Sequence, residues 1–172
     1  MANICDYKIK VKGKKNACYA FFGSMPCYGD KWIESESGTL DDYTIVIKGD
    51  CKWGVNCYAR HWDGEYPVHI PEDPQAACQE GEDKYWYYFL IDKSQMFNVE
   101  IWCNSIGEDE DIDIYEELEY LDSLSGDEAD IPEPIHIPGL FCYEHYLNGN
   151  EVDDVVNAPE EIIMTNDFCD FD

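Results

Sequence analysis

The side chains able to do chemistry here are carboxylates, thiols and four histidines, and their spacing decides what each set is good for. The run Glu108-Asp109-Glu110-Asp111-Ile112-Asp113 invites a calcium loop. A loop opening at Asp109 needs glycine at its sixth place and glutamate at its twelfth, but those places hold Ile114 and Tyr120. Opening at Asp111 puts Glu116 where glycine is required. The stretch is therefore left with loose association of divalent cations by charge. His61, His69, His136 and His145 stand at no metal-binding spacing from one another. Glu144-His145 is the sole acid–base candidate, and on a strand neighbouring side chains point to opposite faces. The nine cysteines include no Cys-x-x-Cys pair and no local Lys, Arg or helix start to favour a thiolate. No nucleophile elbow and no phosphate-binding glycine loop occurs. The residues predict a protein that is not an enzyme and needs no metal or cofactor.

Charge placement is the stronger signal. The chain of 172 residues carries 38 Asp or Glu against 11 Lys or Arg, a net charge of −27. Residues 1–60 hold nine basic and seven acidic side chains; residues 61–172 hold two and thirty-one, and nothing basic follows Lys93. Such a field repels nucleic acid and anionic membranes and attracts basic surfaces. Direct nucleic-acid binding and membrane attachment are thus excluded as expectations. An odd cysteine count, with an opening that lacks a basic and then an apolar region, predicts reduced thiols and a cytoplasmic location.

The elements that must position these groups are legible in part. Tyr7, Ile9 and Val11 alternate with Lys8, Lys10 and Lys12, a half-buried strand. Its lysines form a basic edge able to guard the sheet or to pair with acids of the same chain. Ala17, Cys18, Phe21, Phe22 and Met25 predict a helix over 14–25. Strands are expected at Tyr43–Lys48, at Cys51–Arg60 after a turn at Gly49-Asp50, and at Phe97–Cys103. A Pro-rich connection at 66–74 and a helix within 82–96 lie between. Trp86-Tyr87-Tyr88 suits a ligand pocket, with core packing the simpler account. The order is βαββαβ, a ferredoxin-like α+β sandwich, over residues 1–105. An acidic insertion follows at 106–138, with a short helix on Ile114, Leu118 and Leu121. Residues 139–172 form a β-hairpin about Asn148-Gly149 that returns to the sheet, plus an acidic tail.

Met1–Cys5 before the first strand, Val99–Ser105, and Phe141-Cys142-Tyr143-Glu144-His145-Tyr146 followed by Gly149 carry a resemblance. Over about half its length the chain resembles uncharacterised ferredoxin-like proteins of phages and mobile elements. That resemblance implies a fold and a phage or prophage origin, hence a bacterial host cell, and no chemistry. Some thirty-five residues rich in acid separate two motifs that sit close together in such proteins.

Residues 108–133 hold thirteen carboxylates in twenty-six positions. In helical form, at about 1.5 Å per residue, they would present about one negative charge per 3 Å, close to the ~3.4 Å of a DNA strand. In charge the chain resembles DNA-mimic inhibitors such as anti-CRISPR proteins. The expected function is inhibition of a basic, nucleic-acid-binding host defence protein, a CRISPR effector or restriction enzyme. The surface expected to meet it comprises Glu108, Asp109, Glu110, Asp111, Asp113, Glu116, Glu117, Glu119, Asp122, Asp127, Glu128, Asp130 and Glu144. The alternative is an acidic module that holds a basic protein, small ligand or divalent cation without imitating nucleic acid. Oligomeric state is open.

Overall fold

The computed structural model describes residues 4–65, 68–107, 110–112, 135–137, 141–153 and 158–164. The fold is α+β, a six-stranded antiparallel sheet with three helices. Strands β1 (Ile4–Gly13), β2 (Lys31–Gly38), β3 (Tyr43–Lys52), β4 (Glu100–Gly107), β7 (Phe141–Leu147) and β8 (Asn150–Glu151) run in the order β2-β3-β1-β4-β7-β8. Helices α1 (Lys15–Ser24), α2 (Pro74–Tyr85) and α3 (Leu90–Met96) complete the body. A separate pair, β5 (Glu110–Ile112) and β6 (Ile135–Ile137), brings together the two ends of the acidic stretch. The helix expected on Ile114–Leu121 lies outside the described residues. Among the described residues no helix is long and apolar enough to cross a membrane.

Strand β1 is central and paired on both edges, to β3 and to β4. Its alternation sorts the sheet into two faces. Tyr7, Ile9 and Val11 are fully buried with Phe21, Ile45, Ile47, Ile101 and Cys103 in the core. The lysines emerge on the other face, where each meets an acid of the same chain: Lys8 with Glu34 at 2.7 Å, Lys10 with Glu161 at 2.9 Å, Lys12 with Asp42 at 3.5 Å. A short 3-10 helix, Glu160–Ile162, closes over this face. Asn104 on β4 donates to the Ile162 carbonyl at 2.9 Å, and Ile162 is wholly buried.

Several sequence expectations are corrected. Cys51–Arg60 is not a strand: β3 continues to Lys52, and the chain turns at Trp53 and Gly54, both with positive φ. Gly49 sits within β3 opposite Tyr7, whose hydroxyl would be 2.6 Å from an added Cβ. That glycine makes room for a ring and does not mark a turn. The strand pairing with β3 on its outer side is Lys31–Gly38. The expected helix within 82–96 is two helices, the first of which starts at Pro74 with Asp73 capping the Ala76 N–H at 2.9 Å. The turn between β7 and β8 has positive φ at Asn148 and Gly149, as a two-residue type I′ hairpin requires.

Helices α1 and α2 pack at backbone distance because small residues face each other. A Cβ on Gly23 would lie 1.8 Å from the Cys78 carbonyl oxygen, and one on Gly81 would lie 2.1 Å from that of Ala20. Gly81→Ala is therefore expected to lower unfolding free energy by about 1–3 kcal/mol or more, although alanine is the better helix former. At Gly107 an added Cβ meets nothing within 4 Å, and Gly107→Ala should change stability by less than about 1 kcal/mol. Urea denaturation of both variants checks the contrast.

Candidate functional site

Of the carboxylates expected to meet a partner, Glu108, Asp109, Asp113, Glu116, Glu117, Glu119, Asp122, Asp127, Glu128 and Asp130 lie outside the described residues. Glu110 and Asp111 stand on β5, in register with Ile137 and His136. Glu144 is in a different setting. It lies on β7 at the core-side face, half-buried, and accepts the Tyr146 hydroxyl at 2.9 Å. Burial raises its pKa above the usual carboxylate value, and the tyrosine hydrogen bond opposes that rise. His145 points the other way, buried against Trp102 at 4.9 Å between ring centroids, with Nε2 2.9 Å from Glu100. Glu144 and His145 thus have separate partners on opposite faces, and the carboxylate beside the His145 imidazole is Glu100 of the neighbouring strand β4.

What the whole chain fixes about the acidic field is a surplus. Thirty-eight carboxylates against eleven basic groups leave 27 with no cation of the chain to pair with. The β1 lysines, the one dense basic strip, already have Glu34, Glu161 and Asp42. The hydrogen bond from Lys10 holds the Glu161 carboxyl below its ordinary pKa, so that acid stays charged against the sheet.

Two other lysines are turned inward. Helix α1 has no basic residue in its last turn, yet its terminal carbonyls form the negative end of the helix dipole. Lys31 donates to the Gly23 and Met25 carbonyls at 2.9 and 2.7 Å, and Lys93 donates to Ser24 at 2.6 Å and to Trp86 at 3.4 Å. Lys93 is 1% exposed. Burial, with the charge of Lys31 adding to it, drives its pKa well below the ordinary 10.5; burial also lowers that of Lys31. A neutral amine keeps two N–H groups, one for each carbonyl that Lys93 reaches. Neither lysine stands out in the sequence: Lys31 folds back on carbonyls six and eight residues before it, and Lys93 reaches Ser24 from 69 residues away.

Beside this cap lies an aromatic groove of about 260 Å³, walled by Tyr28, Tyr58, Trp86, Tyr87 and Tyr88 with Lys52 among its lining residues. Trp86-Tyr87-Tyr88 had core packing as its simpler account, but Tyr87 is 54% exposed. Among the described residues no group of three His, Cys, Asp or Glu side chains is placed to hold a metal ion.

No family model, no curated protein and no solved structure matches this chain.

The buried amine gives a pH signature. A base whose folded pKa is depressed releases its proton first in the native state, so the unfolded chain binds more protons between that value and 10.5, and stability rises with pH across the window. The difference in unfolding free energy between the natural chain and Lys93→Met should therefore grow with pH, by at most about 1.4 kcal/mol per pH unit. Urea unfolding from pH 6 to 10 checks it. A difference independent of pH would mean that Lys93 stays charged.

Proposed function

We propose that the chain is a non-enzymatic acidic decoy. It occupies the phosphate-binding groove of a nucleic-acid-binding protein, with a CRISPR effector or restriction enzyme of a bacterial host as the target class. The observation that carries this reading is the surplus of 27 carboxylates that no basic group of the chain can neutralise. It is densest over 108–133, with thirteen carboxylates in twenty-six positions, a density that in helical form would approach the charge spacing of a nucleic-acid strand. Self-repulsion makes such a concentration costly to a folded chain, and a groove lined by Lys and Arg relieves the cost. Carboxylates also take arginine in paired hydrogen bonds, as phosphate does.

The β2-β3-β1-β4 part of the sheet supports reading the body as ferredoxin-like, since that strand order is the one a βαββαβ unit gives when its crossovers are right-handed. On this reading the body is the platform, and the connection from β4 to β7 carries the acids. The interdependence is physical. Strands β4 and β7 are neighbours, so the connection leaves and re-enters the platform at adjacent points.

The test is cleavage by a panel of CRISPR effectors and restriction enzymes with the chain added. Inhibition should weaken at least about tenfold between roughly 50 and 200 mM salt. Guide RNA or duplex DNA should displace the chain. A variant carrying Asp109→Lys, Glu110→Lys, Asp111→Lys, Glu116→Lys and Glu117→Lys should not inhibit. Binding that ignores salt, or a fully active variant, refutes the decoy; binding that nucleic acid cannot displace points instead to capture of a basic protein away from its groove.

A further inference from the structure

Three of the eleven basic side chains lie over rings of the aromatic groove. Lys52 Nζ lies 4.4 Å from the Tyr28 ring centroid, Lys31 Nζ 4.7 Å from Trp86, and the Arg60 guanidinium carbon 5.0 Å from Tyr88. Among the described residues lining the groove there is no carboxylate, in a chain that has 38. The nearby Asp50 is engaged with the Tyr28 and Gly29 N–H groups. The described wall of the groove thus carries one ammonium, Lys52, and no carboxylate, with Glu82 and Asp83 on the adjoining surface beyond Trp86 and Tyr87.

That arrangement selects a ligand class. Aromatic walls commonly recognise cations through the ring face. Here three of the rings already hold one of the chain's own cations, and a second cation would meet the charge of the first. An electron-rich ring carrying a negative group meets the opposite situation. The ring stacks on tyrosines drawn toward positive charge, and the anion reaches an ammonium in a charge-assisted hydrogen bond. Tyr28, Tyr58 and Tyr87 are 57%, 51% and 54% exposed, an unusual amount of large aromatic surface to leave in water at one place. A volume of about 260 Å³ falls just below the range that accommodates drug-sized ligands, about 300–1,000 Å³.

We propose that this groove binds a small planar aromatic anion of one or two fused rings, its ring against the tyrosines and its acid group at Lys52. The site is independent of the decoy reading, and the two respond oppositely to charge: the acidic stretch seeks cations and the groove an anion.

The experiment is titration of the ¹⁵N-labelled full chain with indole-3-acetate, with adenosine monophosphate and with tryptamine, which has the indole ring and a cation. At least one anion should shift the Tyr28, Gly54 and Tyr87 amides saturably, and tryptamine should leave them in place. Saturation by indole-3-acetate alone identifies aromatic carboxylates as the source, and by the nucleotide alone, nucleoside phosphates. Lys52→Gln, an exchange at the groove edge that should leave the rest of the spectrum unchanged, should weaken binding about tenfold. Absence of saturable binding by either anion, tryptamine binding there as tightly, or unchanged affinity in Lys52→Gln would overturn the assignment.

Discussion

Eleven Lys and Arg side chains stand against 38 carboxylates, and where those eleven sit organises the molecule. Three stand on the sheet face of β1, each held by an acid from another element. Two are drawn under helix α1 to satisfy carbonyls that the helix itself leaves open. Lys31 serves twice, since with Lys52 and Arg60 it also lies over a ring of the aromatic groove. All of these belong to the body of the fold, and no basic side chain occurs after Lys93. The second half of the sequence is therefore acidic with nothing local to oppose it.

This partition links packing to electrostatics. Because β1 alternates apolar and basic residues, the same strand that seals the core must present ammonium groups on the far face. The segment ending in Ile162 answers both demands there, burying an isoleucine against the sheet and pairing Glu161 with Lys10. Exposed pairs of this kind contribute little stability individually. Their larger effect is to remove cations from the pool that could neutralise the acidic stretch.

The parts of the fold that were legible in the sequence are those with a local signal. The alternation in β1, the apolar face of α1 and the Asn148-Gly149 turn each follow from neighbouring residues. Strand β2 had no such signal: it is an edge strand, exposed over most of its length, and its pairing is set by β3. The start of α2 did have one, in Asp73-Pro74, which reads equally as part of a proline-rich connection. Gly49 looked like a turn because the ring that needs its missing side chain, Tyr7, is far away in sequence. The groove was visible only as the conspicuous Trp86-Tyr87-Tyr88, since the cations and tyrosines that complete it come from three other segments.

The native chain carries net repulsion among carboxylates that its own cations do not offset. Urea unfolding at neutral pH in about 10 mM and about 200 mM sodium chloride measures this directly, because salt at the higher level screens charges beyond roughly a Debye length of under 10 Å. Unfolding free energy should rise with salt as repulsion is screened. A fall, or no change, would show that attractive pairs balance the acids and that no uncompensated field exists for a partner to meet.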